Sequence, residues 1–439
     1  MSLAERWPQF SAREVVTRGQ ARVFAALFVA LGAALVGFPR EVVDFLVVIM
    51  SAGFLCSLTM RGVFAWYGRQ EPIGLLDQGD LPVYSVLVPV YREAGMVPQI
   101  ARALANIDYP AEKLDAILVV EEDDRETRDA VAAASLHAVI VPVSQPRTKP
   151  KACNYALQMA RGEFVVVYDA EDRPEADQLR KAVAAFRANP NITCFQARLT
   201  VDRARRWIAK MFAIDYDLWF RLLLPGISRL GGPLPLGGTS NHFRTKTLVD
   251  AGAWDPFNVT EDADLGVRLA RLGQRVEILD STTYEEAPDS FPIWLRQRTR
   301  WMKGYMQTLL VHGRDPSMLT GDLGIGGVLL IYSFLGGAVW SSLVNPLMWL
   351  VCFLGLFAAG GDGGIWPVIA EISGAALLAV NVGLTALAML NGGRRLFDLT
   401  LAVTYPLYWI LISAAVYRAV WQLMRDPFRW EKTPHGAAG

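Results

Sequence analysis

The chain has 439 residues, enough for one large domain with membrane segments or for two ordinary soluble domains. Hydrophobic residues make up 52% and charged residues 20%, so charge must be segregated from the apolar stretches. The 43 basic residues balance the 43 acidic ones, which removes any whole-chain argument for nucleic-acid binding, and the four cysteines show neither metal-ligand spacing nor a disulfide framework.

Two charge-free apolar runs open the chain, Val23–Phe38 and Phe45–Met60. Each falls a little short of the roughly 20 residues a span needs, but Arg22 and Arg61 flank them and can snorkel to the interface. This predicts a helical hairpin within residues 1–80. Arg6, Arg13, Arg18 and Arg22 place the N-terminus in the cytosol, and the hairpin then returns the following domain to the cytosol.

Residues 81–314 have the composition of a soluble domain. Tyr84–Val90, Ala116–Val120, Ala138–Val143 and Phe164–Tyr168 read as strands. Met96–Asn106, Thr127–Ala134, Lys151–Ala160 and Glu175–Ala188 read as helices between them. The alternation predicts an α/β domain with a mostly parallel sheet, helices on both faces, and functional loops at the carboxyl ends of the strands.

Several strand ends carry chemistry. Val90 is followed by Tyr91 and Glu93, placed to meet a nucleotide base and ribose. The next strand ends in Glu121-Glu122-Asp123-Asp124, where one carboxylate can accept from a base N–H or a ribose hydroxyl, although such a run is also an ordinary solvated turn. Lys149-Pro150-Lys151 begins a helix and brings cations beside free backbone N–H groups, a surface suited to a diphosphate. Asp169 and Glu171, at i and i+2 after a buried strand, can bind one divalent cation together with diphosphate oxygens. A helix over Phe291–Val311 puts Gln297, Arg300 and Trp301 on one face. There Arg offers a fork for phosphate oxygens and Trp a flat surface for a sugar ring. The plainer reading of this helix is interfacial anchoring by Trp294, Trp301, Arg296 and Arg298.

Apolar character returns at Leu323–Ala359, Ile365–Leu390 and Leu399–Val416, within a C-terminal region of 315–439. Two crossings put Arg394 and Arg395 inside; a third would put Arg418, Arg425, Arg429 and Lys432 outside, against the positive-inside rule. The last run, with Pro406 and a belt of Tyr and Trp, is therefore expected to lie in the interface, which leaves about four crossings. The alternative is an ordinary span with the tail outside.

An acidic strand end, Asp169-x-Glu171, Thr260-Glu261-Asp262 and Gln297-x-x-Arg300-Trp301, in this order, resemble the processive family 2 glycosyltransferases, the cellulose, hyaluronan and chitin synthases and their bacterial exopolysaccharide relatives. The resemblance implies a GT-A-like catalytic domain inserted between transmembrane helices, at the cytosolic face of the inner membrane. It implies that Tyr91, Glu93 and Asp123 (or Glu121, the register being ambiguous) hold uridine, with Lys151 nearby. Asp169 and Glu171 would hold Mg²⁺ or Mn²⁺ on the diphosphate, and Gln297 and Arg300 would bind the diphosphate itself. Asp262 would be the general base, Trp301 would stack on the acceptor sugar, and Thr239, Ser240 and Asn241 would line the acceptor site. The implied reaction is inverting transfer from a UDP-sugar to a growing β-linked glycan; the alternative is a single transfer to a lipid. Four crossings are few for an export channel, so an export partner or a homo-oligomer is expected if polymer leaves the cell. The tail from Asp426 to Thr433 resembles a loop that closes over the nucleotide and is expected near the active site. A non-catalytic membrane scaffold is the remaining reading, and retention of Asp169, Asp262, Arg300 and Trp301 argues against it.

Overall fold

The computed structural model describes residues 3–68, 79–201, 203–358 and 399–431, together with 379, 382–387 and 389. After a short helix, α1 (Leu3–Arg6), two long helices form the predicted hairpin, α2 (Arg18–Gly37) and α3 (Pro39–Tyr67). Thr17 and Gln20 close a reciprocal capping box at the start of α2, and Pro39 at the first turn of α3 marks the break between the two. No residue of α2 is buried, and Phe28 and Val36 are 79% and 87% exposed. An apolar helix this bare needs a lipid or protein cover, since water around it would be costly.

The globular unit carries an eight-stranded sheet of β1 (Tyr84–Val90), β2 (Leu114–Glu121), β3 (Ala138–Val141), β4 (Phe164–Val167), β5 (Arg173–Pro174), β6 (Ile192–Val201), β7 (Asn241–Arg244) and β8 (Arg275–Glu285), in the order β3-β2-β1-β4-β7-β6-β8-β5. The expectation of a mostly parallel sheet holds for β3, β2, β1 and β4. Beyond β4 it holds for β6 with β8, which are parallel, but β7 runs antiparallel to both β4 and β6, and β5 antiparallel to β8, so the sheet is mixed. The polar tetrapeptide of β7, Asn-His-Phe-Arg, carries no strand pattern of its own; its place is set by the flanking strands that bury it.

Helices cover both faces. α4 (Val97–Ala105), α5 (Arg125–Ala133), α6 (Lys149–Leu157) and α7 (Gln178–Ala188) fall close to their predicted positions. Alternation along β1 sends Val86, Val88 and Val90 to one core with Ile100, Val183 and Phe186, and Leu87 to the other with Ala156, Val165 and Leu269. The remaining helices are α8 (Trp207–Leu218), α9 (Leu224–Arg229), α10 (Thr245–Asp250), α11 (Glu261–Arg271), α12 (Phe291–His312), α13 (Pro316–Ile331), α14 (Gly337–Ala358) and α15 (Leu399–Arg425). A third core joins the globular unit to the apolar helices through Phe54, Phe64, Phe212, Trp294, Phe334 and Tyr408.

Among the described residues, four helical stretches are long and apolar enough to cross a membrane: Arg18–Gly37, Pro39–Tyr67, Pro316–Leu350 and Leu401–Arg425. The last of these was expected to end at Val416 and to lie in the interface; it runs nine residues further and has the length and hydropathy of a span. Its Tyr408 and the tail that follows it nonetheless rest on α12. Trp294 Nε1 and Arg298 Nη2 donate to Tyr408 OH at 3.0 and 2.9 Å, and Lys303 Nζ and Gln307 Nε2 donate to the carbonyls of Arg429 and Pro427 at 2.8 and 3.0 Å. The apolar run Ile365–Leu390, the loop before it and Arg394 and Arg395 lie, apart from the few positions named above, outside the described residues.

Backbones meet closely where α9 crosses α3. A Cβ on Gly226 would stand 1.9 Å from the carbonyl oxygen of Phe64. Gly226→Ala should therefore destabilise the protein by about 1–3 kcal/mol, read as a lower melting temperature in detergent.

Candidate active site

One cavity of about 360 Å³ opens at the carboxyl ends of β1, β2 and β4 and runs toward the apolar helices. Tyr91 and Glu93 reach it from the loop after β1, Glu121 from the end of β2, and Asp169 and Glu171 from the turn after β4. Gly237, Gly238 and Thr239 form one rim, Glu261 and Asp262 enter at the start of α11, and Gln297, Arg300 and Trp301 line it from α12. Among the described residues, the parallel strands thus deliver their end loops to one place, as this topology dictates.

Lysine placement separates two neighbours. Lys149 contacts the Asp169 carboxylate and donates to the Gly238 carbonyl at 2.8 Å, which ties the acidic turn to the glycine rim. Lys151, two residues on, points away to Glu121 at 2.8 Å and does not line the cavity, against its predicted place at the nucleotide. Asp123 also stays outside the lining. It pairs with Arg147 at 2.6 Å, and Arg147 in turn donates to Tyr91 OH at 3.2 Å and does border the cavity. Of the two carboxylates the acidic run offered, Glu121 is the one at the cavity wall.

Ser240 and Asn241, expected to line an acceptor site, are buried behind the rim. Ser240 adopts a left-handed backbone (φ 56°), which turns its hydroxyl to Thr283 Oγ1 at 2.7 Å. Asn241 Nδ2 donates to the Gly237 carbonyl at 2.6 Å. Thr239 borders the cavity while its hydroxyl contacts Asp172. Trp301 borders it as well, with Tyr216 nearly parallel at 5.9 Å and the Arg298 guanidinium 4.7 Å from its ring centre. The cavity therefore meets a wall of Trp301 and Tyr216 rather than a lone indole.

Sequence reasoning passed over Arg147 and Glu285, both of which border the cavity, as does Trp430. Trp430, from the tail, lies 4.8 Å from the Arg300 guanidinium, in the region where the tail was expected. Thr433 and the residues beyond it are outside the described residues.

Charge in the site is uneven. Burial raises the Asp172 and Glu285 carboxyls, and the nearby charges of Asp169 and Glu171 raise both further. Burial opposes the charge on Lys149, yet Asp169 and Glu261 outweigh it and hold the ammonium above its ordinary value. Burial, then the charge of Asp262, pushes Glu261 up to about 8, against Lys149 and Arg300. Burial also raises Asp262, opposed by the Ala263 N–H, which it accepts at 2.7 Å, and by Lys149 and Arg300.

A group whose folded pKa is raised binds more protons folded than unfolded, so it costs stability as pH rises between the two values. Glu261 spans about 4.5 to 8. Glu261→Gln should flatten the fall in melting temperature from pH 5 to pH 8.5; an unchanged slope would place the titration elsewhere.

The acidic turn fits a divalent cation. Asp169 and Glu171 share one wall, Asp172 Oδ1 is buried without a hydrogen-bond partner among the described residues, and Lys149 meets the Asp169 carboxylate. No three His, Cys, Asp or Glu side chains among the described residues form a complete cage, which suits an ion whose coordination a diphosphate would finish.

A family model described as "Glycosyl transferase family group 2" matches residues 164–419, and one described as "Glycosyl transferase family 2" matches residues 85–238. The chain is 25% identical to the beta-monoglucosyldiacylglycerol synthase of Synechocystis sp. over 81% of its own length and 76% of that protein. It is 24% identical to the probable glucomannan 4-beta-mannosyltransferase 7 of Oryza sativa over 54% of its length and 44% of that protein. The chain spans about half the length of most of the curated relatives it matches. The mannosyltransferase PcManGT from Pyrobaculum calidifontis, solved in complex with GDP-Man and Mn²⁺, superposes with a TM-score of 0.55 at 20% identity, covering 83% of this chain and 99% of that one. That likeness establishes the shared fold.

Proposed function

The chain belongs to glycosyl transferase family group 2, and from that premise we propose that it moves a hexose, with inversion, from a nucleoside diphosphate-sugar to an acceptor hydroxyl presented from the membrane side of the cavity. The observation that carries this is continuity: one cavity joins the Tyr91–Glu121 end, the acidic turn, Asp262 and the aromatic wall, and then reaches α3, α14 and α15.

The nucleoside lies against Tyr91, Glu93 and Glu121, with Arg147 fixing Tyr91 and Asp123 at its edge. Lys151 acts indirectly, by orienting Glu121. Gln297, Arg300 and Lys149 face the diphosphate; Arg300 Nε is buried without a partner among the described residues, which leaves that N–H to donate to a phosphate oxygen. Asp169 and Glu171 would hold Mg²⁺ or Mn²⁺, which when bound neutralises charge on the departing diphosphate. Asp262 takes the proton of the acceptor hydroxyl as that oxygen attacks the anomeric carbon. The bond from that carbon to the diphosphate oxygen breaks on the opposite side, and an α-linked donor gives a β-linked product.

For the acceptor, the Trp301–Tyr216 wall favours a glycan, because stacked rings bind the apolar face of a sugar. This supports elongation of a β-linked polysaccharide from a UDP-sugar, with a second copy or a partner protein assisting export. A lipid acceptor is the second reading. It is supported by the glycolipid-forming relative that matches most of both chains, and by the opening of the cavity toward α3 and α14. The apolar helices are proposed to anchor the enzyme in the inner membrane with the cavity in the cytosol.

Purified protein in detergent, given a panel of UDP- and GDP-hexoses with Mg²⁺ or Mn²⁺, should release nucleoside diphosphate from one of them. Membranes fed that donor in radiolabelled form should yield size-excluded polymer for the first acceptor, or a single solvent-extractable product for the second. Release from no donor would sink the transferase reading.

A further inference from the structure

The membrane end of the cavity carries a charge that the transfer chemistry does not use. Arg61, near the end of α3, was expected to snorkel toward water. Instead its guanidinium borders the cavity, with its carbon 4.7 Å from the ring centre of Trp409 on α15. Its Nη1 is shielded from solvent and has no hydrogen-bond partner among the described residues. The charges that face it are Asp215 and Arg298. Asp215 is already engaged: it accepts from Arg298 at 2.7 Å and from a tyrosine hydroxyl on α15 at 2.9 Å. Two guanidinium groups thus share one carboxylate, and a positive charge is left over at the boundary between the globular unit and the apolar helices.

A shielded guanidinium without a counter-ion of its own is unfavourable unless something completes it. Ionisable groups kept at membrane depth mark ligand paths. We propose that the membrane end of the cavity is a subsite for the phosphate of a membrane lipid, seated on Arg61. The donor's diphosphate does not account for this charge, since Lys149 and Arg300 act on Glu261 and Asp262, whereas Arg61 lies against Trp409 and faces Asp215 and Arg298. Arg matches phosphate oxygens through its planar fork, and with Trp409 against the ring-facing side the edge remains for the ligand. The hydroxyls of Ser341 and Ser342, which line the same cavity, both donate to the Ala338 carbonyl, so the group left to hold an anion there is Arg61. The helices that frame the site present exposed apolar surface (Phe45 and Val48 on α3, Leu347 and Leu350 on α14), which suits acyl chains.

The proposal rests on reading this cavity as the acceptor path, and the two can fail separately. Native mass spectrometry of the full chain in neutral detergent, titrated with phosphatidic acid or with diacylglycerol of the same acyl chains, tests it. The wild type should retain phosphatidic acid at least tenfold more tightly. Arg61→Gln should bring the two lipids within threefold of each other, and Arg61→Lys should keep most of the preference. Equal retention of both lipids by the wild type, a preference that survives Arg61→Gln, or displacement of phosphatidic acid by a glucuronate-containing tetrasaccharide would overturn it, the last by assigning the anion to a glycan. Nucleotide release from the hexose donors is measured on the same preparation: lipid preference without release sinks the transferase reading alone, and release without preference sinks the lipid subsite alone.

Discussion

Asp262→Asn is expected to lower the turnover number by about a hundred- to ten-thousand-fold, the contribution of a positioned general base, while nucleotide binding stays within threefold of wild type. Asp262 sits in the first turn of α11, where the helix dipole and a free N–H favour a carboxylate, and it accepts from the Ala263 N–H at 2.7 Å. Its second oxygen lies where a Cβ on Gly238 would come within 3.2 Å, so the glycine rim leaves that oxygen open to the cavity. The neighbouring Glu261 is the competing base. Burial and the charge of Asp262 push it up to about 8, so near neutral pH it already holds a proton and is the poorer group to take another. Asparagine keeps the shape and the Ala263 contact but cannot take a proton. Turnover and UDP affinity measured together decide it: more than a tenth of wild-type turnover in Asp262→Asn, with a collapse in Glu261→Gln, would move the base to Glu261.

The sequence made the strand ends legible because buried parallel strands are short apolar runs, and the residues that follow them must face the loops. Tyr91, Glu121 and Asp169 are at the cavity for that reason alone. Side-chain direction within a turn was not legible. Lys149 and Lys151 differ by about 200° around a helix, which sends one to Asp169 and the other to Glu121. Ser240 was misplaced because a left-handed residue reverses the side that its neighbours would suggest, and Asn241 follows it into the sheet. The antiparallel entry of β7 escaped notice because four polar-leaning residues have no period to read. Arg61 escaped as well: its direction is decided by Trp409 and Asp215, some 350 and 150 residues away, and no local pattern records either contact.

The second large effect concerns the acidic turn. Chelation of divalent ions should stop transfer, and Mn²⁺ or Mg²⁺ should restore it. Asp169→Asn should lower kcat/KM for the donor by about a hundredfold, corresponding to roughly 3 kcal/mol of lost stabilisation of the leaving diphosphate, and shift metal activation to higher concentration. Two cations compete for this carboxylate. Lys149 contacts it now, and a divalent ion with the diphosphate would have to displace or share with that ammonium. Lys149 has an alternative anchor in the Gly238 carbonyl at 2.8 Å, so it can yield Asp169 without losing every partner. The charges raising Asp172 and Glu285 point the same way, because four carboxyl groups around one turn are relieved by a doubly charged ion more than by one ammonium. The opposite assignment has its own signature. If Lys149 alone carries the diphosphate, chelators leave the rate untouched, Asp169→Asn is mild, and Lys149→Met becomes the crippling change. Metal titrations of wild type, Asp169→Asn and Lys149→Met therefore separate a metal-held leaving group from a lysine-held one.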